Sequence, residues 1–172
     1  MKRIIVITGD GKGKSTSAFG TALRAAGHGM NVSIIQFIKG NADIGELVSL
    51  AKIPTIDIVQ YGLGFVIRPD KEEHQRHRNA AQDGLTFATG KLTDPSVGMV
   101  ILDEICAAIN SKLLDIGDVL HAIDKAHDSI IIICTGRNAP VELIDIADTV
   151  SEIACIKHGL NKGIKAQPGV EM

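Results

Sequence analysis

The chain has 172 residues, 45% hydrophobic and 22% charged, with 18 basic against 20 acidic side chains and a net charge of −2. That balance argues against a nucleic-acid polyanion as the main partner. An aromatic content of 3%, with no Trp and one Tyr, argues against base-stacking platforms. One domain, spanning 1–172, is the natural expectation, and a chain this long buries about 70% of its unfolded surface without a disulfide or metal. Three cysteines, Cys106, Cys134 and Cys155, with no C-x-x-C pair fit reduced thiols. Only a short apolar run follows Lys2 and Arg3, so neither a signal peptide nor a membrane span is expected, and the expected location is the cytosol.

Arg3-Ile4-Ile5-Val6-Ile7 reads as a strand buried on both faces. Thr8-Gly9-Asp10-Gly11-Lys12-Gly13-Lys14-Ser15 follows, and then a helix-forming stretch from Ser15 to Ala26. In a strand–turn–helix setting, glycines let several backbone N–H groups converge on one anion, and the helix N-terminus adds positive charge. Lys14 can reach a phosphate and the Ser15 hydroxyl can ligate Mg²⁺, so the stretch reads as a triphosphate cradle. Thr8 stands where the generic P-loop pattern has its first glycine, and Gly9 leaves the spacing one residue short. An unusual grip on the nucleotide is the expected consequence.

Gly27-His28-Gly29 stops the helix, and Val32 to Phe37 forms a second strand, parallel to the first through a right-handed crossover. Gln36 and Lys39 lie at the carboxyl end of that strand, the ligand-facing edge of an open parallel sheet. A short helix over Ile44–Lys52 and a strand over Thr55–Val59 come next. The loop 60–69, with Gly62, Leu63, Gly64 and Phe65, is too apolar for a merely solvated loop and reads as a flexible lid or a loop folded on the core. Asp70 caps a long helix to about Lys91, charged all round in its first half, where His74 and His77 share a face. A metal pair there lacks a completing carboxylate or cysteine, so a solvated basic face is the preferred reading.

Gly98 to Leu102 is an apolar strand ending in Asp103 and Glu104, a Walker B pattern in which a strand-end acid holds Mg²⁺ or its waters. A helix over about Ile116–His127 leads to a strand over Ile130–Cys134, then to Thr135-Gly136-Arg137. Arg137 stands at the same edge as Lys14 and Asp103, where its fork can clamp phosphate. A helix from Pro140 to Ala147, a last strand over Asp148–Ile156 and an irregular tail complete the chain. Alternating strands and helices predict a three-layer α/β domain with a mainly parallel sheet.

Taken in order, T-G-D-G-K-G-K-S-T at 8–16, A-L-R-A-A-G-H-G at 22–29, Q-F-I-K-G at 36–40, G-L-G-F at 62–65, L-D-E at 102–104 and T-G-R-N-A-P at 135–140 resemble the P-loop type of ATP:corrinoid adenosyltransferase. A-D at 147–148 and K-H-G with G-I-K-A-Q-P-G-V-E near the end extend the resemblance over nearly the whole chain. It implies a RecA-like P-loop NTPase fold and transfer of the 5′-deoxyadenosyl group of ATP to Co(I), with triphosphate leaving. The short P-loop spacing is a feature of that family, in which the nucleotide is thought to lie reversed in the loop. By the resemblance, Gly9, Asp10, Gly11, Lys12, Gly13, Lys14 and Ser15 wrap the triphosphate, with Lys14 the main cation and Thr16 adding a hydroxyl. Ser15 and Glu104 ligate Mg²⁺ with Asp103 nearby or substituting, and Arg137 contacts phosphate. Asp10 stands where the family often has Asn. Phe65 matches an aromatic that helps expel the lower axial ligand of cobalt; Ile67 stands where a second aromatic, Trp, is common.

The same resemblance implies ATP and a corrinoid as substrates, a homodimer, and flavodoxin or reduced flavin as electron donor. Some members carry an N-terminal extension over the partner's site; this chain is expected to lack one, beginning at its first strand. The competing expectation is a nucleotide or small-molecule kinase or NTP hydrolase sharing Lys14, Ser15 and Asp103, with ADP or phosphate as product. A binding protein that turns over neither ligand is a third.

Overall fold

The computed structural model describes residues 1–40, 44–64 and 69–170. Six strands form one all-parallel sheet: β1 (Arg3–Thr8), β2 (Val32–Gln36), β3 (Ile56–Gln60), β4 (Met99–Asp103), β5 (Ile131–Thr135) and β6 (Thr149–Glu152). Their order is β3-β2-β4-β5-β1-β6. The helices are α1 (Lys14–Gly27), α2 (Gly45–Leu50), α3 (Lys71–Thr93), α4 (Ile105–Asn110), α5 (Ile116–Asp124) and α6 (Val141–Asp145).

The strands are apolar on both faces, as parallel strands covered on each side require. Side chains alternate across the sheet. Val32, Ile34, Met99, Ile101 and Ile133 face one core with Ala18, Phe19 and Ala22 of α1. Ile35, Val100, Leu102, Ile132 and Cys134 face the other, with Ala81, Leu85 and Leu92 of α3 and Val119 and Ile123 of α5. The result is the three-layer α/β fold expected from the alternating elements.

Most elements match their sequence reading to within one to four residues. Two differ in kind. The run after Glu104 forms α4 directly, without an intervening loop, because Glu104 itself turns the chain in a left-handed conformation, φ 60°, ψ 25°. The last strand ends at Glu152, short of Ile156. Beyond it the chain lies against the loop after β1, through Ile153 N–H to Thr8 O at 2.9 Å and Gly11 N–H to Ile153 O at 2.7 Å.

The α3 helix starts as expected, with Asp70 Oδ1 accepting from Glu73 N–H at 2.8 Å. Its first half is not solvated all round, since His77 is buried. His74 instead meets Ser111 O through Nε2 at 3.2 Å, so the two imidazoles do not act as a pair. Among the described residues no helix is long and apolar enough to cross a membrane. The apolar residues Phe65 and Ile67 lie outside the described residues, so the expectations placed on them stay expectations.

Candidate functional site

The site forms at the carboxyl edge of the sheet, where β1, β4 and β5 end. Gly9, at φ 100°, and Gly13, at φ 119°, take backbone conformations that disfavour any side chain. Gly11 is required for a second reason: a Cβ there would lie 2.7 Å from both Ile153 O and Ala154 O. The loop is therefore cast against the segment that follows β6. Gly13 caps α1, so the exposed N–H groups of that helix open toward the loop.

Lys14 is the buried cation of the site, 7% exposed. Its Nζ donates back to Gly11 O at 2.8 Å. Burial holds its ammonium below the ordinary lysine range, Arg137 pushes the same way, and Glu104 and Asp10 oppose. Glu104, Arg137 and Asp10 are thus among the charges that bear on this ammonium. Arg137 rests against the loop, its Nε 3.8 Å from Asp10 Oδ1 and Nη2 3.5 Å from Asp10 O. Both side chains of that pair are exposed, so it is weak, and the guanidinium is free to leave for a better anion.

The two strand-end acids are in different states. Asp103 is fully buried, and both its oxygens are engaged. Oδ1 accepts from Thr135 Oγ1 at 2.8 Å and Oδ2 from Gln36 Nε2 at 3.0 Å, with Lys39 Nζ 3.6 Å away. The carboxylate of Glu104 accepts no hydrogen bond among the described residues. Burial raises its pKa above the ordinary range, Asp103 adds to the rise, and Lys14, Lys39 and Arg137 counter it. A half-buried carboxylate facing cations and short of donors is suited to a cation.

No group of three or more His, Cys, Asp or Glu side chains able to hold a metal occurs among the described residues. Mg²⁺ takes one or two protein oxygens and completes its shell with phosphate oxygens and water. Glu104 and the Ser15 hydroxyl at the start of α1 are the oxygens here that could hold such an ion.

Gln36, the last residue of β2, and Lys39 just beyond it lie at the carboxyl edge, as the sequence suggested, and they act there as a frame. Lys39 bonds Glu46 at 2.9 Å. Burial disfavours its charge, but Asp103 and Glu46 lift its pKa above the ordinary range. Sequence reasoning missed Thr135 and Gln60. Gln60 Nε2 donates to Gln36 Oε1 at 2.9 Å, which orients the amide that donates to Asp103. Beside the loop, Gly11, Lys12, Cys155, Ile156 and His158 line a pocket of about 330 Å³. Lys12 Nζ donates to Val170 O, so the tail passes close to the cradle.

Cys106 and Cys134 are not available as nucleophiles. Cys106 and Cys134 are buried, burial pushes the Cys106 thiol up to about 12, and Cys134 is raised further.

Comparison with known proteins identifies the family. The model of the ATP:corrinoid adenosyltransferase BtuR/CobO/CobP family matches residues 1–172. A corrinoid adenosyltransferase of Pseudomonas aeruginosa is 39% identical over 168 residues, which cover 98% of this chain and 82% of that protein. Corrinoid adenosyltransferase CobA of Salmonella typhimurium is 39% identical over 98% of this chain and 84% of its own length. A corrinoid adenosyltransferase of Escherichia coli K12 is 37% identical with the same coverage, 98% and 84%.

Proposed function

The chain belongs to the ATP:corrinoid adenosyltransferase family, and we propose that it transfers the 5′-deoxyadenosyl group of ATP to the Co(I) of a corrinoid, with triphosphate as the leaving group. Cobalamin, cobinamide and cobyrinic acid diamide are the corrinoid substrates this reading admits. The cobalt is the nucleophile and arrives with the substrate. The protein's task is then to hold C5′ in line with the metal and to stabilise negative charge on the departing triphosphate.

The observation that carries the reading is the convergence on Lys14. A buried ammonium at Lys14, a releasable guanidinium at Arg137 held against Asp10 of the same loop, and the N–H groups at the start of α1 lie together where β1 ends. On binding, Lys14 Nζ leaves Gly11 O for a phosphate oxygen and Arg137 leaves Asp10 for another. The N-terminus of α1 adds partial positive charge to the same oxygens. Lys12 and Thr16 extend the cradle at its rim. Mg²⁺, when bound, supplies positive charge to the triphosphate, with Ser15 and Glu104 as its protein ligands. Asp103 acts through its hydrogen bonds and stays out of the cation's shell. Phe65 favours loss of the lower axial ligand of cobalt and so makes its reduction easier.

A homodimer in the cytosol, supplied with electrons by flavodoxin or a reduced flavin, completes the proposal. The test is an anaerobic assay with ATP, Mg²⁺ and pre-reduced corrinoid. A light-sensitive alkyl-cobalt spectrum together with stoichiometric triphosphate is expected. ADP or phosphate as the sole nucleotide product would point to a kinase or hydrolase and overturn the proposal.

A further inference from the structure

Glu104 is one of three non-glycine residues with positive φ among the described residues, and it stands at the centre of the site. A left-handed backbone costs an ordinary residue about 1–2 kcal/mol and persists only where its surroundings impose it. A side chain on the neighbouring strand meets its amide. Glu104 N–H donates to Thr135 Oγ1 at 2.9 Å. The same hydroxyl donates its single proton to Asp103 Oδ1 at 2.8 Å, which points its lone pairs away from that carboxylate and toward the Glu104 amide.

The chain of bonds runs further. Asp103 Oδ2 takes Gln36 Nε2 and Gln36 Oε1 takes Gln60 Nε2, at 3.0 and 2.9 Å. Gln36, Asp103 and Thr135 are each 0% exposed. In such surroundings a satisfied polar chain is rigid, and removal of one member strands the next.

We propose that Thr135 is the positioning residue of this site: its hydroxyl, oriented by the buried Asp103, fixes the backbone of Glu104 and thereby aims the Glu104 carboxylate at the nucleotide-bound cation. Asp103 then serves as the anchor of the hydroxyl. This inference rests on the proposed role of Glu104 and deepens it.

The experiment measures Mn²⁺ binding to the protein–ATP complex, with ATP equimolar to protein at concentrations where nearly all of it is bound and with no corrinoid, by the paramagnetic resonance signal of free Mn²⁺, in wild type, Thr135→Val and Thr135→Ser. Valine keeps the shape and removes both hydrogen bonds; serine keeps the hydroxyl. The expected result is an affinity for Mn²⁺ about tenfold weaker in the valine variant, from loss of a bond in a buried charged network, and within about twofold of wild type in the serine variant. In the turnover assay the same change should raise the Mg²⁺ concentration for half-maximal rate, with a smaller effect on kcat at saturating Mg²⁺. Wild-type Mn²⁺ affinity in a folded Thr135→Val protein overturns the inference, even if its melting temperature falls. Where the valine variant does not fold, Gln36→Leu cuts the chain one link earlier; it should weaken Mn²⁺ in the same direction, and wild-type affinity there also overturns the inference. Failure of the wild type to bind Mn²⁺ with ATP would remove Glu104 as a metal ligand. Binding without any alkylation of cobalt would overturn the proposed reaction and leave the positioning role standing.

Discussion

Replacing Gly11 with alanine tests whether the phosphate loop depends on the chain beyond β6. The added methyl would meet Ile153 O, Ala154 O and Ile153 Cγ2, each at 2.7 Å. Two of those atoms are backbone and cannot swing aside, so loop and segment must part. Overpacking of this kind costs about 1–3 kcal/mol. The Gly11 N–H to Ile153 O bond, 2.7 Å long, is strained or lost with it, for about 0.5–1.5 kcal/mol more. The smaller entropy of an unfolded chain with alanine returns about 0.4–1 kcal/mol. A net loss of about 2 kcal/mol lowers the melting temperature of a chain of this size by about 4–8 °C. Gly20→Ala is the control, since that glycine is exposed on α1 with nothing within 4 Å of an added Cβ, and it should be neutral or slightly stabilising. Scanning calorimetry of both variants, with and without ATP, reads the difference. The ATP-induced rise in melting temperature should also shrink in Gly11→Ala. Equal melting temperatures and equal ATP responses in the two variants would refute the reasoning.

Lys14→Ala removes the buried cation and should abolish measurable ATP binding in calorimetric titration, whereas a surface change such as Lys52→Ala should not. Asp10→Asn keeps the shape of the loop and removes a charge next to Arg137; tripolyphosphate should bind about three- to tenfold tighter by titration, less so at high salt. Glu104→Gln should raise the Mg²⁺ requirement of turnover and also stabilise the free protein at neutral pH. Burial raises the Glu104 pKa in the fold, so the ionised form weakens folding once the pH exceeds the ordinary carboxylate value, fully so above the raised value. The stability gap between Glu104→Gln and wild type should therefore be present near pH 7 and close as the solution is acidified through that window. Thiol titration of the native protein should find Cys155 reactive and Cys106 and Cys134 protected until unfolding.

The strands were legible because parallel strands are apolar on both faces, and runs such as Ile130 to Cys134 admit little else. The Gly-rich turn was legible because its glycines answer to local backbone demands at Gly9 and Gly13. Less of the frame around it could be read. Gln36 and Asp103 are 67 residues apart, and only the register of β2 on β4 makes them partners. Thr135 looked like the end of an apolar strand, since nothing local marks a hydroxyl that accepts from one neighbour and donates to another. The turn into α4 escaped notice because the left-handed residue is a glutamate, not the glycine that usually marks such a break. His77 sits in a charged run, and only the packing of α3 on the sheet buries it. The apparent continuation of β6 to Ile156 follows local β-propensity, which the hydrogen bonds to Thr8 and Gly11 override.

β6 pairs with β1 on one side alone and is the outermost strand of the sheet, four residues long and exposed throughout. Strands of that kind open locally at low free energy. The proposed grip on triphosphate thus leans on the margin most prone to fray, and nucleotide occupancy and the closure of that margin should be linked. Amide hydrogens from Thr149 to Ala154 are where ligand-dependent slowing of exchange would first become visible.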